Sequence, residues 1–381
     1  MRGFIRTDKR PVAEWWRTVD RTLVFGVAFL AVFGIFVSVQ TGSAAEIRVG
    51  QDAAYYYGRH VLYTALALGL LIFLSMRTVL EVRQLATVLY VGALVAVLLT
   101  LVIGPEINGA QRWLRLGPLS IQPSELLKPA FVVLTAWALS EGNRLPGFPG
   151  RSLALLLLIA PMFLFLMQPD VGQTILMTAV WGALLFAAGL PWGWTIGLGV
   201  AAGMALATAY FVFPHVANRI DMFVLGSDGG RSQVDFALDA LRHGGFRGTG
   251  PGEGTVKSSV PDAHTDFAFA VMGEEMGLWT CLFVAFMFLA IITRGLMRTF
   301  SERDHFVQLA AAGLFLLFGM QAFINMGVNL QMLPATGMTL PFISFGGSSL
   351  LATGVTLGFA LALTRKRAGH TRRRRRAHEQ F

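Results

Sequence analysis

The 381-residue chain has a single cysteine and few charges. Cys281 alone excludes a disulfide framework and any zinc site built on cysteines, and its apolar neighbours make it a packing residue. Charged residues make up 14% of the chain, against about 25% in soluble domains, which argues against a soluble enzyme. No HExxH, GxSxG or EF-hand signature occurs, and the 7 histidines are scattered.

What the chain has is apolar length, with 54% hydrophobic residues. About 20 helical residues cross a hydrocarbon core of about 30 Å. The runs predict an all-α, polytopic membrane protein with about ten transmembrane helices, near 22–40, 60–76, 86–104, 124–140, 153–167, 173–189, 194–213, 268–293, 307–330 and 348–364. The first run is too long for a signal-peptide core and is read as a retained helix. The expected organisation is a basic cytoplasmic N-terminus (1–21), a membrane domain (22–364) and a basic cytoplasmic tail (365–381). With both ends inside, the inner segments carry 21 Lys and Arg residues and the outer segments 9, as the positive-inside rule requires. The run Arg372 to Arg376 is then a topology signal. Nucleic-acid binding is disfavoured because no aromatic residues interleave with the arginines.

This orientation puts segments 105–122, 214–265 and 331–347 on the outer face. The second lies in the long extracytoplasmic loop (214–267) between helices 7 and 8. It carries Val234, Ala237, Leu238 and Leu241 at helical spacing, which suits a helix on the membrane surface or against the bundle.

The glycine-rich stretch 244–254 fails as a nucleotide motif. A P-loop needs Lys directly after its last Gly, whereas here it comes only at Lys257. Glu253 occupies the third Gly of the dinucleotide fingerprint, and no strand precedes it. It is either a flexible loop or a backbone cradle, through Gly250 and Gly252, for a pyrophosphate assisted by Arg247 and Lys257.

In the following stretch, Asp262 or Thr265 is expected to cap a helix with Asp266 in its first turn, at the outer membrane surface. Glu274 then falls on the same face, about 12 Å away. Asp266 is either a charge satisfied by the helix dipole or a reactive carboxylate. His264 stands beside it. Glu274 and Glu275 sit in an apolar span, where carboxylates are costly and mark a role. Glu125 and Lys128 either pair along their helix, or Lys128 holds a phosphate or catalytic carboxylate. Asp170 follows a break at Pro169 and is placed to cap the next helix. Gln321, Asn325, Asn329 and Gln331 form a polar stripe, either interhelical glue or the wall of a hydrophilic groove. Pro334, Gly337, Pro341, Gly346 and Gly347 then break the backbone repeatedly, which is tolerated at membrane depth where it lines a cavity or is buried in protein.

Six ordered motifs carry a resemblance: Gly109-Ala-Gln-Arg-Trp113, Gln122-Pro-Ser-Glu125, Gln168-Pro-Asp-Val-Gly172, Pro261-Asp-Ala-His-Thr-Asp-Phe267, Gly273-Glu-Glu275 and Leu340-Pro-Phe-Ile-Ser-Phe-Gly-Gly-Ser-Ser349. Together they resemble the SEDS family (shape, elongation, division and sporulation proteins) over residues 20 to 365. The stretch 116–125 and Gly273 lean toward its division branch. Arg242-His243 and Ala335 depart from the family pattern.

The resemblance implies ten membrane helices and a peptidoglycan glycosyltransferase. Such an enzyme polymerises lipid II at the outer face of the bacterial cytoplasmic (inner) membrane, at the division septum, and releases undecaprenyl pyrophosphate. Its implied partners are a class B penicillin-binding protein (a transpeptidase) and other division membrane proteins. The family's essential aspartate maps onto Asp266, as general base or as ligand of Mg2+ or Mn2+, with no organic cofactor. Candidates to bind the leaving pyrophosphate are Arg112, Lys128, Arg247 and Lys257, with Gly250 and Gly252. Glu125, Asp170, His264, Glu274, Glu275, Asn325 and Asn329 are supporting residues. The rival readings are a lipid II flippase, an elongation-type polymerase for cell shape, and a non-enzymatic scaffold.

Overall fold

The computed structural model describes residues 11–49, 53–107, 109–117, 119–212, 214–224 and 232–366. Most of the basic leader and the arginine run of the tail lie outside the described residues.

A short amphipathic helix, α1 (Pro11–Thr18), precedes α2 (Arg21–Val49), α3 (Ala53–Ser75) and α4 (Val79–Ile103). A hairpin of β1 (Leu114–Leu116) and β2 (Leu119–Ile121) leads into α5 (Pro123–Arg144), α6 (Gly150–Met167), α7 (Val171–Ala187) and α8 (Trp192–Val212). Then come α9 (Pro214–Val224), α10 (Gln233–Gly244), α11 (Ala268–Thr299), α12 (His305–Asn329) and α13 (Gly347–Leu363). Each apolar run expected from the sequence falls on one of α2 to α8 or α11 to α13.

Among the described residues, 6 helices are both long and apolar enough to cross a bilayer: α2, α3, α4, α6, α11 and α12. Helices α7 and α13 are apolar but only 17 residues long. Helix α5 carries Glu125, Lys128, Glu141 and Arg144, so its polar content sets it apart. The outward faces are strongly apolar. Val88, Val102 and Phe286 are 73%, 76% and 63% exposed, a surface that water would not tolerate across a whole molecule. A set of charged and amide side chains is buried instead: Glu125 and Lys128 on α5, Gln173 on α7, Glu274 and Glu275 on α11, and Gln321, Asn325 and Asn329 on α12.

Local sequence explains the joints. Thr78 and Glu81 form a reciprocal capping box at α4, with Thr78 Oγ1 accepting from Glu81 N at 3.2 Å and Glu81 Oε2 accepting from Thr78 N at 2.6 Å. Ser232 and Asp235 repeat the device at α10. Close helix contacts use small residues, as expected where lipid supplies no competing hydrophobic drive. A Cβ on Gly354 of α13 would overlap the carbonyl oxygen of Ala67 in α3, and one on Gly358 would press on Leu71 and Leu74.

The segment 105–122, without an expected element, contains a hairpin turned at Gly117 (φ +63°). The loop 214–265 contains α9 and α10, and of the two places open to the expected amphipathic helix, α10 takes the one against the bundle, burying Val234, Ala237 and Ala240 as it packs on α11. Finally, α11 is interrupted. Gly277 takes φ +80°, ψ 176°, because a loop backbone presses against it and leaves no room for a Cβ. Residues 278–299 form the apolar shaft, whereas Glu274 and Glu275 belong to the shorter arm 268–276 and not to the continuous apolar span.

Gly354→Ala is expected to destabilise the detergent-solubilised protein by about 1–3 kcal/mol through overpacking. Gly182→Ala, in α7 with nothing within 4 Å of its added Cβ, should be neutral or stabilising by up to about 1 kcal/mol. Thermal unfolding of the two variants side by side checks the contrast.

Candidate functional site

Asp266 does not sit in the first helical turn. Helix α11 starts at Ala268 with Phe267 as its N-cap, and Phe267 offers no side-chain cap. Asp266 lies just before, in a tight turn whose hinge is Asp262 at φ +50°. The carbonyl of Asp262 accepts Thr265 N at 3.0 Å and Asp266 N at 3.1 Å, so Asp262 organises the turn through its backbone.

The missing cap comes from α12. Asn329 Oδ1 accepts Ala270 N at 3.1 Å, and Asn329 Nδ2 donates to the carbonyl of Asp266 at 3.0 Å. Asn325 Nδ2 donates to the same carbonyl at 2.8 Å and to the carbonyl of Met338 at 2.6 Å. One helical turn earlier, Gln321 Nε2 donates to the carbonyl of Thr339 at 3.2 Å. The polar stripe on α12 thus fastens two irregular segments together: the turn that carries Asp266 and the broken chain 334–341. All three amides are buried. Asp266 itself is only half-buried, and its Oδ2 lies 3.9 Å from where a Cβ on exposed Gly337 would stand (φ +72°). The absence of a side chain at Gly337 keeps one approach to the carboxylate clear.

His264, two residues before Asp266, packs its ring against Tyr56 (centroids 4.8 Å) and Phe345 (5.9 Å), and its carbonyl accepts Phe345 N at 2.8 Å. Burial pushes its imidazolium below the ordinary value, while Asp262 pulls the other way. It is a packing hinge for the turn.

Two further polar clusters flank the broken chain. Arg112 donates to the carbonyls of Gln168 (3.1 Å) and Pro169, and stands 3.7 Å from Asp170 Oδ2. Asp170 caps α7 by accepting Gln173 N at 3.4 Å. Gly172 then meets the backbone of Thr336 so closely that a Cβ would overlap it. In the second cluster, Lys128 pairs with Glu125 at 2.9 Å and donates to Gln321 Oε1 at 2.9 Å, while Gln173 Nε2 donates to Glu125 at 2.6 Å. The cavity beside Lys128 holds about 10 Å3, room for about one water and none for a phosphate.

The glycine run meets a ligand of its own chain. Glu274, fully buried, accepts Val256 N (2.8 Å) and Lys257 N (2.7 Å), and lies 2.9 Å from His243 Nδ1. Glu275 accepts Gly252 N (3.0 Å) and the ammonium of Lys257, and its carbonyl accepts Gly250 N (3.0 Å). Gly244, Gly248 and Gly254 each sit where a Cβ would strike residues 273–276. The cradle read from the sequence is therefore filled by two internal carboxylates. Lys257, Gly250 and Gly252 are engaged as clamps on α11, and Lys128 is enclosed in an internal ion pair. Of the expected cations, Arg247 is exposed and Arg112 is partly so.

The sequence reading overlooked Gly337, Gln173 and Tyr56. The Pro/Gly breaks after α12 were its only signal for Gly337. Nothing local announces Tyr56, because its partner is more than 200 positions away.

The arrangement matches known proteins. Residues 21–369 fit the profile of the FtsW/RodA/SpoVE family, described as cell cycle proteins. The chain belongs to this family. It is 43% identical over 368 residues to the probable peptidoglycan glycosyltransferase FtsW of Caulobacter vibrioides, covering 96% of this chain and 94% of that one. With the counterpart from Geobacter sp. it shares 32% over 364 residues, covering 92% and 98%. Among solved structures, it superposes on a chain of a peptidoglycan synthase complex that coordinates polymerization and crosslinking, with a TM-score of 0.74, 28% identity, and 91% and 97% coverage. The rod shape determining protein RodA of Thermus thermophilus gives 0.66, 29% identity, and 92% and 97% coverage. The FtsW/RodA/SpoVE profile covers every residue of the three polar clusters.

Two measurements check the site's architecture. Glu275→Gln removes the carboxylate charge that faces the buried Lys257 ammonium and should cost up to about 3–5 kcal/mol, while pairing Glu275→Leu with Lys257→Met should recover part of that loss. Because folding lowers the His264 value, its contribution is intact above the ordinary 6.5 and is lost as pH falls from there toward the folded-state value. The melting temperature should fall over that window, and His264→Phe should shallow the slope.

Proposed function

We infer that the chain is a peptidoglycan glycosyltransferase of the division type, polymerising lipid II with Asp266 as its reactive carboxylate. In this reading ten helices cross the cytoplasmic membrane, α2 to α8 and α11 to α13. Both termini face the cytoplasm, and the Asp266 turn stands at the outer face, at the septum. The excess of Lys and Arg at the opposite ends of these helices supports that orientation. The single observation that carries the site is the Asp266 turn itself. Its backbone is fixed by Asn325 and Asn329, and its carboxylate lies beside a glycine that leaves the approach open.

The chemistry follows from that placement. A sugar 4-hydroxyl attacks the anomeric carbon of a second lipid-linked sugar, and the carrier leaves as undecaprenyl pyrophosphate. Asp266 accepts the hydroxyl proton, a role worth about 10²–10⁴-fold in rate. Its turn is fastened through backbone groups, so the carboxylate stays in place as the substrate arrives. Arg247 and Arg112 are the cations available to the leaving pyrophosphate. A Mg2+ or Mn2+ ion needs only one or two carboxylates when phosphate oxygens complete its shell, so Asp266 fits as its protein ligand, where the ion would screen the pyrophosphate charge. A class B penicillin-binding protein and other division membrane proteins are the proposed partners. The tight packing around Lys128 favours polymerisation over flipping, since a headgroup route from inside to outside would have to open there.

The test uses purified protein reconstituted with its transpeptidase partner, the partner's active site blocked, and supplied with lipid II. Asp266→Ala is expected to insert, bind the partner and make no glycan. Robust glycan chains from that variant would falsify the assignment, and lipid II translocation without glycan from the native protein would favour the flippase.

A further inference from the structure

At the end of α12 opposite the Asp266 turn, the start of α4, the end of α5 and the start of α12 enclose a cavity of about 700 Å3. That volume is in the range of small-molecule sites. Two arginines and two carboxylates line it, and three of the four are engaged with one another or with backbone. Glu141 faces Arg144 at 3.5 Å, and Asp304 is engaged in capping α12, accepting Val307 N at 3.2 Å. Arg83 is half-buried, rests its guanidinium over the Trp137 ring at 5.6 Å, and forms no ion pair among the described residues. Trp137 lines the wall with its ring, its Nε1 being sealed from solvent and without a hydrogen-bond partner among the described residues. Asn143 secures the far side, with its amide Nδ2 at 2.9 Å from the Ala188 carbonyl and 3.3 Å from His305 Nε2.

A half-buried guanidinium without an ion pair among the described residues calls for an anion, and a phosphate diester suits it. The cavity's position adds the rest of the ligand. Leu80 lines it and is 53% exposed, continuing into the outward apolar face of α4 through Leu85 and Val88. The site sits where the apolar girdle meets the charged end of the bundle. Its ligand therefore has an anionic head and a hydrocarbon tail. Basic pockets between membrane helices on the cytoplasmic side are suited to anionic lipid headgroups.

We propose that this cavity binds the headgroup phosphate of an anionic phospholipid, with Arg83 as the principal cation and the acyl chains along α4. The proposal relies on the orientation inferred above only for the leaflet concerned, the cytoplasmic one, and it does not involve Asp266.

The experiment uses the full chain in detergent with phosphatidylglycerol, with phosphatidylcholine of the same acyl chains, or with inorganic phosphate. Bound lipid is read by native mass spectrometry and stabilisation by thermal unfolding. The native protein should retain phosphatidylglycerol over phosphatidylcholine. Arg83→Ala should weaken that retention about fivefold, equivalent to ~1 kcal/mol for one surface cation. Arg151→Ala, an exposed arginine outside the cavity, should change nothing. Equal retention by Arg83→Ala and native protein overturns the proposal, and so does phosphate protecting as well as the lipid. Should Arg83→Ala not fold, Ser140→Glu, which sets a negative charge in the wall and leaves Arg83 in the sequence, must show the same loss, and undiminished binding there also overturns it. Labelling of an Asn143→Cys variant from outside intact cells would refute the leaflet and the orientation while leaving the detergent binding result to stand by itself.

Discussion

The Asp266 end of this molecule hangs on three amides of α12. Gln321, Asn325 and Asn329 recur every fourth residue, which puts them on one line down the helix. Each is buried, and each reaches a main-chain group of a segment that has no regular partner. Unpaired backbone groups in an apolar setting are expensive, so these side chains perform the work that a strand or a helix cap would do elsewhere. Together with the His264 carbonyl, which accepts Phe345 N, they give the Pro261-to-Phe267 turn and the chain after α12 a common reference.

The same logic explains how charge is distributed. The carboxylates and cations in the interior neutralise one another in small closed groups: Arg112 with Asp170, Lys128 with Glu125, Lys257 with Glu275. These groups tie together elements far apart in sequence. Asp266 differs from them in being half-buried and beside an exposed glycine. The enclosed pairs tie segments together, whereas Asp266 keeps part of its surface open.

The helices were largely legible in advance, because apolar runs near 20 residues have few alternatives. The amide stripe was legible too, as a periodicity of four, and so was the possible pairing of Glu125 with Lys128 three positions apart. The glycine run misled. Its composition suited either a ligand cradle or a close backbone contact, and only the tertiary structure reveals that Glu274 and Glu275 occupy it. The start of α11 was misjudged for a related reason: its cap comes from Asn329, 62 positions beyond Phe267, whereas sequence reading searches for caps next door. The hairpin at Leu114–Ile121 is too short to show an alternation.

The interruption of α11 at Gly277 has a mechanical consequence. The shaft 278–299 faces outward with Leu278, Trp279 and Phe286, so its height follows the surrounding lipid. The arm 268–276 is held instead by the loop around Glu274 and by Asn329. A kink at glycine bends without stretching the hydrogen-bond ladder on either side. Leu278 N donates to the carbonyl of Gly245 at 2.9 Å and the 246–248 backbone presses on Gly277, so the loop sets the angle between arm and shaft, and the elevation of the Asp266 turn is referenced to the loop and α12 rather than to the lipids.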